Sequence, residues 1–171
     1  MALNEAKVSV KKDLAYRTWV ASHGGVYVPV TEKTPPNPYL NHLKNRDVTI
    51  NGKPFTLMNP AYSLSQMMKD YSQLYGIKAK ITSKVLLNPK NASDDWEAKA
   101  LNKIDQSRKE FYEISPIKGK GEFLRYMNPL VTQESCLKCH AQTQKWQEGK
   151  SHQACDDAKC TGNRLIITTG P

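Results

Sequence analysis

Apolar residues recur along this chain first with helical and then with strand spacing. From Asn4 to Ser22, Val8, Leu14, Ala15, Trp19, Val20 and Ala21 alternate with polar positions such as Lys11-Lys12, predicting an amphipathic helix. Gly24-Gly25 stops it. Val26 to Val28 is a short strand ended by Pro29, and the loop through Pro35-Pro36-Asn37-Pro38 is expected to be extended. Asp47 to Ile50 and Pro54 to Met58 flank Asn51-Gly52, whose tolerance of positive φ makes a hairpin turn.

Pro60 suits the first turn of a second helix, which runs through Met67, Met68 and Tyr71 to about Tyr75 and closes at Gly76. Ile77 to Leu87 is rich in β-branched residues and reads as a strand. After Asn88-Pro89, Ser93-Asp94-Asp95 caps a helix over Trp96 to Arg108. Phe111 to Ile117 and Glu122 to Met127 flank the turn Gly119-Lys120-Gly121, and Arg164 to Thr169 makes a last strand. Helices framing about five short, hairpin-linked strands predict an α+β fold, an antiparallel sheet with helices packed to one side. With 171 residues and no internal repeat, residues 1–171 are expected to form a single domain.

Composition narrows the classes. Hydrophobic residues make up 39% and mean hydropathy is -0.63, and no apolar run approaches the roughly 18 residues of a membrane helix. Met1 to Lys12 lacks the apolar core of a signal peptide. The formal charge is +9, but the twenty lysines are spread from Lys7 to Lys159 and arginines number only five. Nucleic-acid binders concentrate these residues with aromatics between them, so a solvated lysine-rich surface is expected and no nucleic-acid partner. Such a surface favours approach to an acidic redox partner.

The chemistry is concentrated in Cys136-Leu137-Lys138-Cys139-His140. Two thiols three positions apart can add to the two vinyl groups of one haem, and the adjoining imidazole can then ligate the iron from below. Cys155 and Cys160 extend the pattern to C-x2-C-x15-C-x4-C, close to a four-cysteine zinc site. Spacing alone leaves covalent haem, zinc and a disulfide open.

Several stretches resemble the bacterial haem-c-binding, PAS-like extracytoplasmic sensor domains, which also occur as stand-alone periplasmic cytochromes. They are Trp19 to Val28 (WVASHGGVYV), Pro36 to Leu40 (PNPYL), Arg46-Asp47-Val48, Leu57 to Tyr62 (LMNPAY), Ile81-Thr82-Ser83, Asn88 to Glu97 (NPKNASDDWE) and Leu124 to His140 (LRYMNPLVTQESCLKCH). The chain departs from the family at Ser63-Leu64-Ser65, where Met-Thr-Arg is usual, and through residues 141–163. The resemblance implies a PAS-like antiparallel sheet and a long N-terminal helix able to pair two subunits in a homodimer. It also implies one covalent haem c, on Cys136 and Cys139 with His140 as proximal iron ligand. Haem c is attached outside the cytoplasm, so a periplasmic location is expected, with a leader or anchor in the full precursor.

For the sixth iron position the candidates are His23, Met127, Met58 and His42, against a bland reading of helix termination, core packing or surface exposure for each. An exchangeable sixth site would suit a diatomic gas. In an oxidising compartment Cys155 and Cys160 are expected to form a disulfide, with a thiolate reaching iron or a redox switch as the sharper alternatives. His152 is a weaker metal candidate. Arg17, Arg46 and Arg125 are candidate propionate partners. Tyr27, Tyr39, Tyr62 and Tyr126 are expected to wall the pocket, and Trp19 and Trp96 to anchor the core. The readings that follow are a redox or gas sensor feeding a downstream signalling domain, an electron-transfer cytochrome, and a zinc-binding module. No acid–base pair can be placed beside the haem, so enzymatic activity is not expected.

Overall fold

In the computed structural model of the chain, the described residues form three α-helices, two one-turn 3-10 helices and seven strands. The structure describes residues 1–130, apart from 85, 87, 108, 118 and 120, together with the backbone of the strand Asn163–Thr169. Helix α1 spans Ala2–Ser22, α2 Pro60–Tyr75 and α3 Asp95–Ser107. The strands are β1 (Val26–Pro29), β2 (Asp47–Ile50), β3 (Lys53–Met58), β4 (Ile77–Thr82), β5 (Phe111–Ile117), β6 (Gly121–Leu130) and β7 (Asn163–Thr169). All their pairings are antiparallel, in two sheets ordered β1-β3-β2 and β4-β7-β6-β5. The α+β class is as the sequence predicts. The strands, however, divide between sheets of three and four instead of forming one sheet of about five.

Local chemistry explains the element ends. Asn59 caps α2 by accepting the Tyr62 N–H at 3.0 Å, Pro60 fills the first helical position, and Gly76 leaves the helix at φ +61. Asn51 and Gly52 both carry positive φ, which turns β2 into β3. The Pro-rich loop differs from expectation. Asn37 is extended, but Pro38 opens a one-turn 3-10 helix, Pro38–Leu40, with the Asn37 side chain capping Tyr39. Proline is barred from helix interiors, not from a first turn.

The four-stranded sheet separates two cores. Leu124, Tyr126 and Leu130 of β6 and Ile81 of β4 face α1 and α2, where they pack with Ala6, Val10 and Leu64. Met127 faces the other way, onto Ala100, Leu101 and Ile104 of α3, with Trp96 and Phe111 beside it. The strand period of two makes this division: even positions of β6 look toward α1, odd positions toward α3. Trp96 thus contributes to a core as expected. Trp19 does not: it is 55% exposed.

Candidate functional site

One end of the four-stranded sheet carries the chain toward the cysteine motif. Leu130, the last residue of β6, pairs with Asn163, the first of β7. The connection bearing Cys136, Cys139, His140, Cys155 and Cys160 therefore leaves and rejoins the sheet at one corner. These five residues, with His152, lie outside the described residues.

Helix α1 leads to that corner. Leu3 in its first turn lines one groove with Leu124. Lys7 then pairs with Glu110, which also accepts the Tyr126 hydroxyl at 2.6 Å. Helix and strand thus advance in the same direction. Twenty-one residues of α-helix span about 30 Å, whereas Leu124 to Leu130 covers about 20 Å. The last turns of α1 consequently extend past the sheet end. This part of the helix carries Val20 and the cap residue His23, while Asp13 lies short of it, over the sheet.

Asp13 was not singled out in the sequence, although it continues the buried stripe Ala6, Val10, Asp13, Val20 at helical spacing. It is 3% exposed, and its Oδ1 accepts no hydrogen bond among the described residues, the Lys12 Nζ standing 3.8 Å away. Burial pushes its carboxyl above the ordinary 3.8, with Lys12 partly opposing.

His23 is exposed and closes α1. Its Nδ1 lies 2.8 Å from the Trp19 carbonyl, and its ring stacks on Trp19 with centroids 4.6 Å apart. A carbonyl only accepts, so Nδ1 carries the proton and the lone pair is on Nε2. Metal-binding histidines are oriented in this way by a backbone carbonyl. The two glycines that follow serve the chain's own packing. Gly25 has φ +110, and a Cβ there would stand 2.8 Å from Leu57 Cδ1 and 3.0 Å from the Met58 carbonyl oxygen. The turn therefore binds the end of α1 to β3, where Val26 pairs with Met58.

Of the four sixth-ligand candidates, His23 closes α1 and Met58 ends β3 opposite Val26, at the two ends of the glycine turn's connection. Met58 is buried at 4% exposure. Met127 stands apart, fully buried on the α3 side. His42 is exposed in the turn after the one-turn helix. Among the described residues His23 has the chemistry of an iron ligand, an exposed imidazole with its lone pair on Nε2, and Met58 offers a thioether that is buried.

The candidate arginines and tyrosines have partners within the chain. Arg46 pairs with Asp47 and bonds Asn41. Arg125 donates to Asp94 at 2.6 Å and lies 3.5 Å from Glu97 and 4.3 Å over the Trp96 ring. Both guanidinium groups are held by the chain's own carboxylates because a fork-shaped cation seeks the nearest fixed anion. The four tyrosine hydroxyls each have a partner within the chain. Tyr27 bonds the Asn45 carbonyl, Tyr39 the Asn88 side chain, Tyr62 the Pro35 carbonyl, and Tyr126 sits inside the other sheet's core on Glu110. Each hydroxyl follows its local partner.

A PAS-like antiparallel sheet flanked by helices, with an N-terminal helix running out to the corner of a motif-bearing connection, defines the class. The Tll0287-like family model matches residues 1–159, and the chain belongs to that family. The structure is similar to the crystal structure of the cyanobacterial heme-protein Tll0287, with a TM-score of 0.58 and 16% identity over 99% of this chain and 94% of that one. At this identity the likeness is one of fold. No curated protein matches the chain. The kinship drawn from the sequence motifs is upheld at the level of the family.

Proposed function

We propose that this chain is a periplasmic c-type haem protein that acts as a redox or diatomic-gas sensor and not as an enzyme. One haem is held by thioether bonds to Cys136 and Cys139, with His140 as proximal ligand. The observation that carries this reading is the corner itself. The CxxCH connection leaves and rejoins the sheet at the end toward which α1 runs, and α1 closes on an imidazole whose Nε2 is the basic nitrogen. The family membership supports it, as does the likeness to the structure of a cyanobacterial heme-protein.

Bound there, the haem supplies an iron that changes oxidation state and binds axial ligands. The chain's residues do the rest. Trp19 fixes the His23 ring through its carbonyl and its ring face. The Gly24-Gly25 turn couples His23 to Met58. Helix α1 is seated by Ala6, Val10, Leu14 and Tyr16 and carries in their midst a buried acid, Asp13, whose Oδ1 has no hydrogen bond among the described residues and makes any one seating costly. A change at the iron that favours one seating of α1 over another is a signal, and a downstream signalling domain or the partner helix of a homodimer would read it.

His23 itself favours a second reading, an electron-transfer cytochrome. An imidazole already oriented for a metal would make two firm axial ligands and leave no site for a gas. Carbon monoxide added to the dithionite-reduced, haem-loaded protein distinguishes them. The sensor reading expects a prompt shift of the Soret band. A spectrum that ignores carbon monoxide contradicts it and leaves the electron carrier.

A further inference from the structure

The four-stranded sheet has one guarded edge and one open edge. At the guarded edge β4 carries Lys78 and Lys80, and the 89–92 segment is tied to it: Lys80 donates to the Ala92 carbonyl and Thr82 to the Asn91 carbonyl at 2.7 Å. Lysines and a covering loop keep an edge from pairing with another chain. The opposite edge, β5, carries no lysine. Its one charged residue is Glu113, whose carboxylate accepts the Trp96 Nε1–H at 2.9 Å on the α3 side. Among the described residues no backbone hydrogen bond from another segment reaches β5 beyond its pairing with β6.

The α1 side of this edge is apolar. Tyr112 and Ile114 stand opposite Tyr126 and Leu124 of β6, which belong to the core beneath α1. One strand farther out the cover ends, and Tyr112 is 50% and Ile114 67% exposed. With Met1, Leu3 and Leu124 they line a groove of about 490 Å³. Apolar residues scattered singly on a surface are ordinary, but two in one row beside an apolar groove and an open backbone edge mark a contact.

Pro116 tells which backbone groups of β5 face outward. Proline is accepted in an edge strand where its nitrogen is turned away from the neighbouring strand. The strand period of two then turns the N–H and C=O groups of Ile114 and Tyr112 outward as well. A second β5 laid antiparallel, about a two-fold axis at Ile114, exchanges two hydrogen bonds between the Ile114 residues. Each Tyr112 N–H also meets the carbonyl of the partner's Pro116, an acceptor that proline keeps. In this register Glu113 stands opposite the partner's Ser115, whereas an axis at Glu113 would set two carboxylates face to face. The axis is perpendicular to the sheet, so both Tyr112–Ile114 rows fall on the same side and extend one another.

We infer that β5 is the contact of a homodimer, in which two copies of the chain join edge to edge and each four-stranded sheet continues into the other. This surface is separate from α1, and the inference is independent of the haem reading. An edge of seven residues is small beside an obligate interface, so the dimer is expected to dissociate at about micromolar concentration.

Sedimentation velocity of the full chain, from about 1 to about 200 µM, tests it. A monomer–dimer equilibrium is expected. Ile114→Lys, at an exposed position, should weaken dimerisation by about tenfold or more and leave the thermal melting of the monomer unchanged. Val8→Lys, at a position 58% exposed on the outer face of α1, should leave the dimer intact. In the unsubstituted chain, amide hydrogen exchange at Tyr112 and Ile114 should slow as concentration rises. A chain that is monomeric throughout would overturn the inference, as would exchange at these amides that ignores concentration. A dimer that Val8→Lys breaks and Ile114→Lys does not would place the contact on α1, and that too would overturn it.

Discussion

The two faces of the four-stranded sheet treat charge in opposite ways. On the α3 side, buried charge is enclosed by partners. Asp94 and Glu97 form a reciprocal cap, Glu97 N–H to Asp94 and Asp94 N–H to Glu97, both at 2.8 Å. Glu97 then meets Lys80 and Arg125, and Arg125 stacks on Trp96, whose Nε1 donates to Glu113 at 2.9 Å. On the α1 side, Asp13 is at least as buried, yet its Oδ1 accepts no hydrogen bond among the described residues; on the α3 side the one such atom among them is the Arg125 Nε, in a guanidinium that is otherwise paired. A largely paired network makes the firmer face, and an acid without a hydrogen bond makes a face that is costly to hold in one position. The firmer face supports the sheet, and the other carries the helix that ends at His23.

Arg125→Ala should break the α3 side most severely. It strands Glu97, which is 4% exposed, with Lys80 as its remaining partner, so the cost is put at the low end for a broken buried pair, about 3 kcal/mol in denaturant unfolding. Arg125 is remote from the motif-bearing corner, so the absorption spectrum of surviving folded protein should not change. Gly25→Ala comes next. Its φ of +110 and the 2.8 Å approach to Leu57 predict a loss of about 2 kcal/mol, together with an altered haem spectrum if the turn couples His23 to Met58.

Asp13→Asn should act in the opposite direction. Folding raises this carboxyl, so the folded chain holds the proton more tightly than the unfolded one, and ionised Asp13 lowers stability at neutral pH. The variant is expected to gain about 1 kcal/mol at pH 7, or about 2–4 °C in Tm. The gain should shrink as pH falls through the raised pKa toward 3.8 and vanish below it. Asp94 has the other sign. Burial pushes it up, but the hydrogen bonds from Arg125 and the Glu97 N–H and the charges of Arg125 and Lys80 outweigh this and leave it lowered. Its contribution is present above the ordinary 3.8 and lost as pH falls through the lowered value, so Asp94→Asn should destabilise at pH 7 and approach neutrality in acid. His23→Ala has the smallest effect on stability, within about 0.5 kcal/mol for an exposed position, but should shift the Soret band of the haem-loaded protein.

Local signals made much of this fold legible. Asn59, Pro60 and Gly76 define α2 from end to end, and Asn51-Gly52 defines its hairpin. Long-range choices were not legible. No residue told the strands to separate into two sheets. The strand expected over Glu122 to Met127 runs on to Leu130 through Pro129, because β5 begins opposite Met127 and leaves one side of β6 without a neighbour there among the described residues. Ile77 to Leu87 read as one strand, but β4 ends at Thr82, whose hydroxyl is drawn to Asn91. The haem motif is complete within five residues, so it was legible at once. The rest of the site depends on which helix turn reaches which sheet end, and Asp13 gave no sign beyond a charge in an apolar stripe. Asp94 and Glu97 were visible only as a helix start, since their partners Lys80 and Arg125 come from strands distant in sequence.

Covalent haem on the connection between β6 and β7 is the central claim. Intact-protein mass spectrometry after acid–acetone extraction tests it most directly, on chain produced with a cytochrome c maturation system. The account predicts the mass of the chain plus one haem, lost when Cys136 and Cys139 are both replaced by alanine. A bare chain mass with all four cysteines intact, or a chain that retains zinc instead, would contradict it.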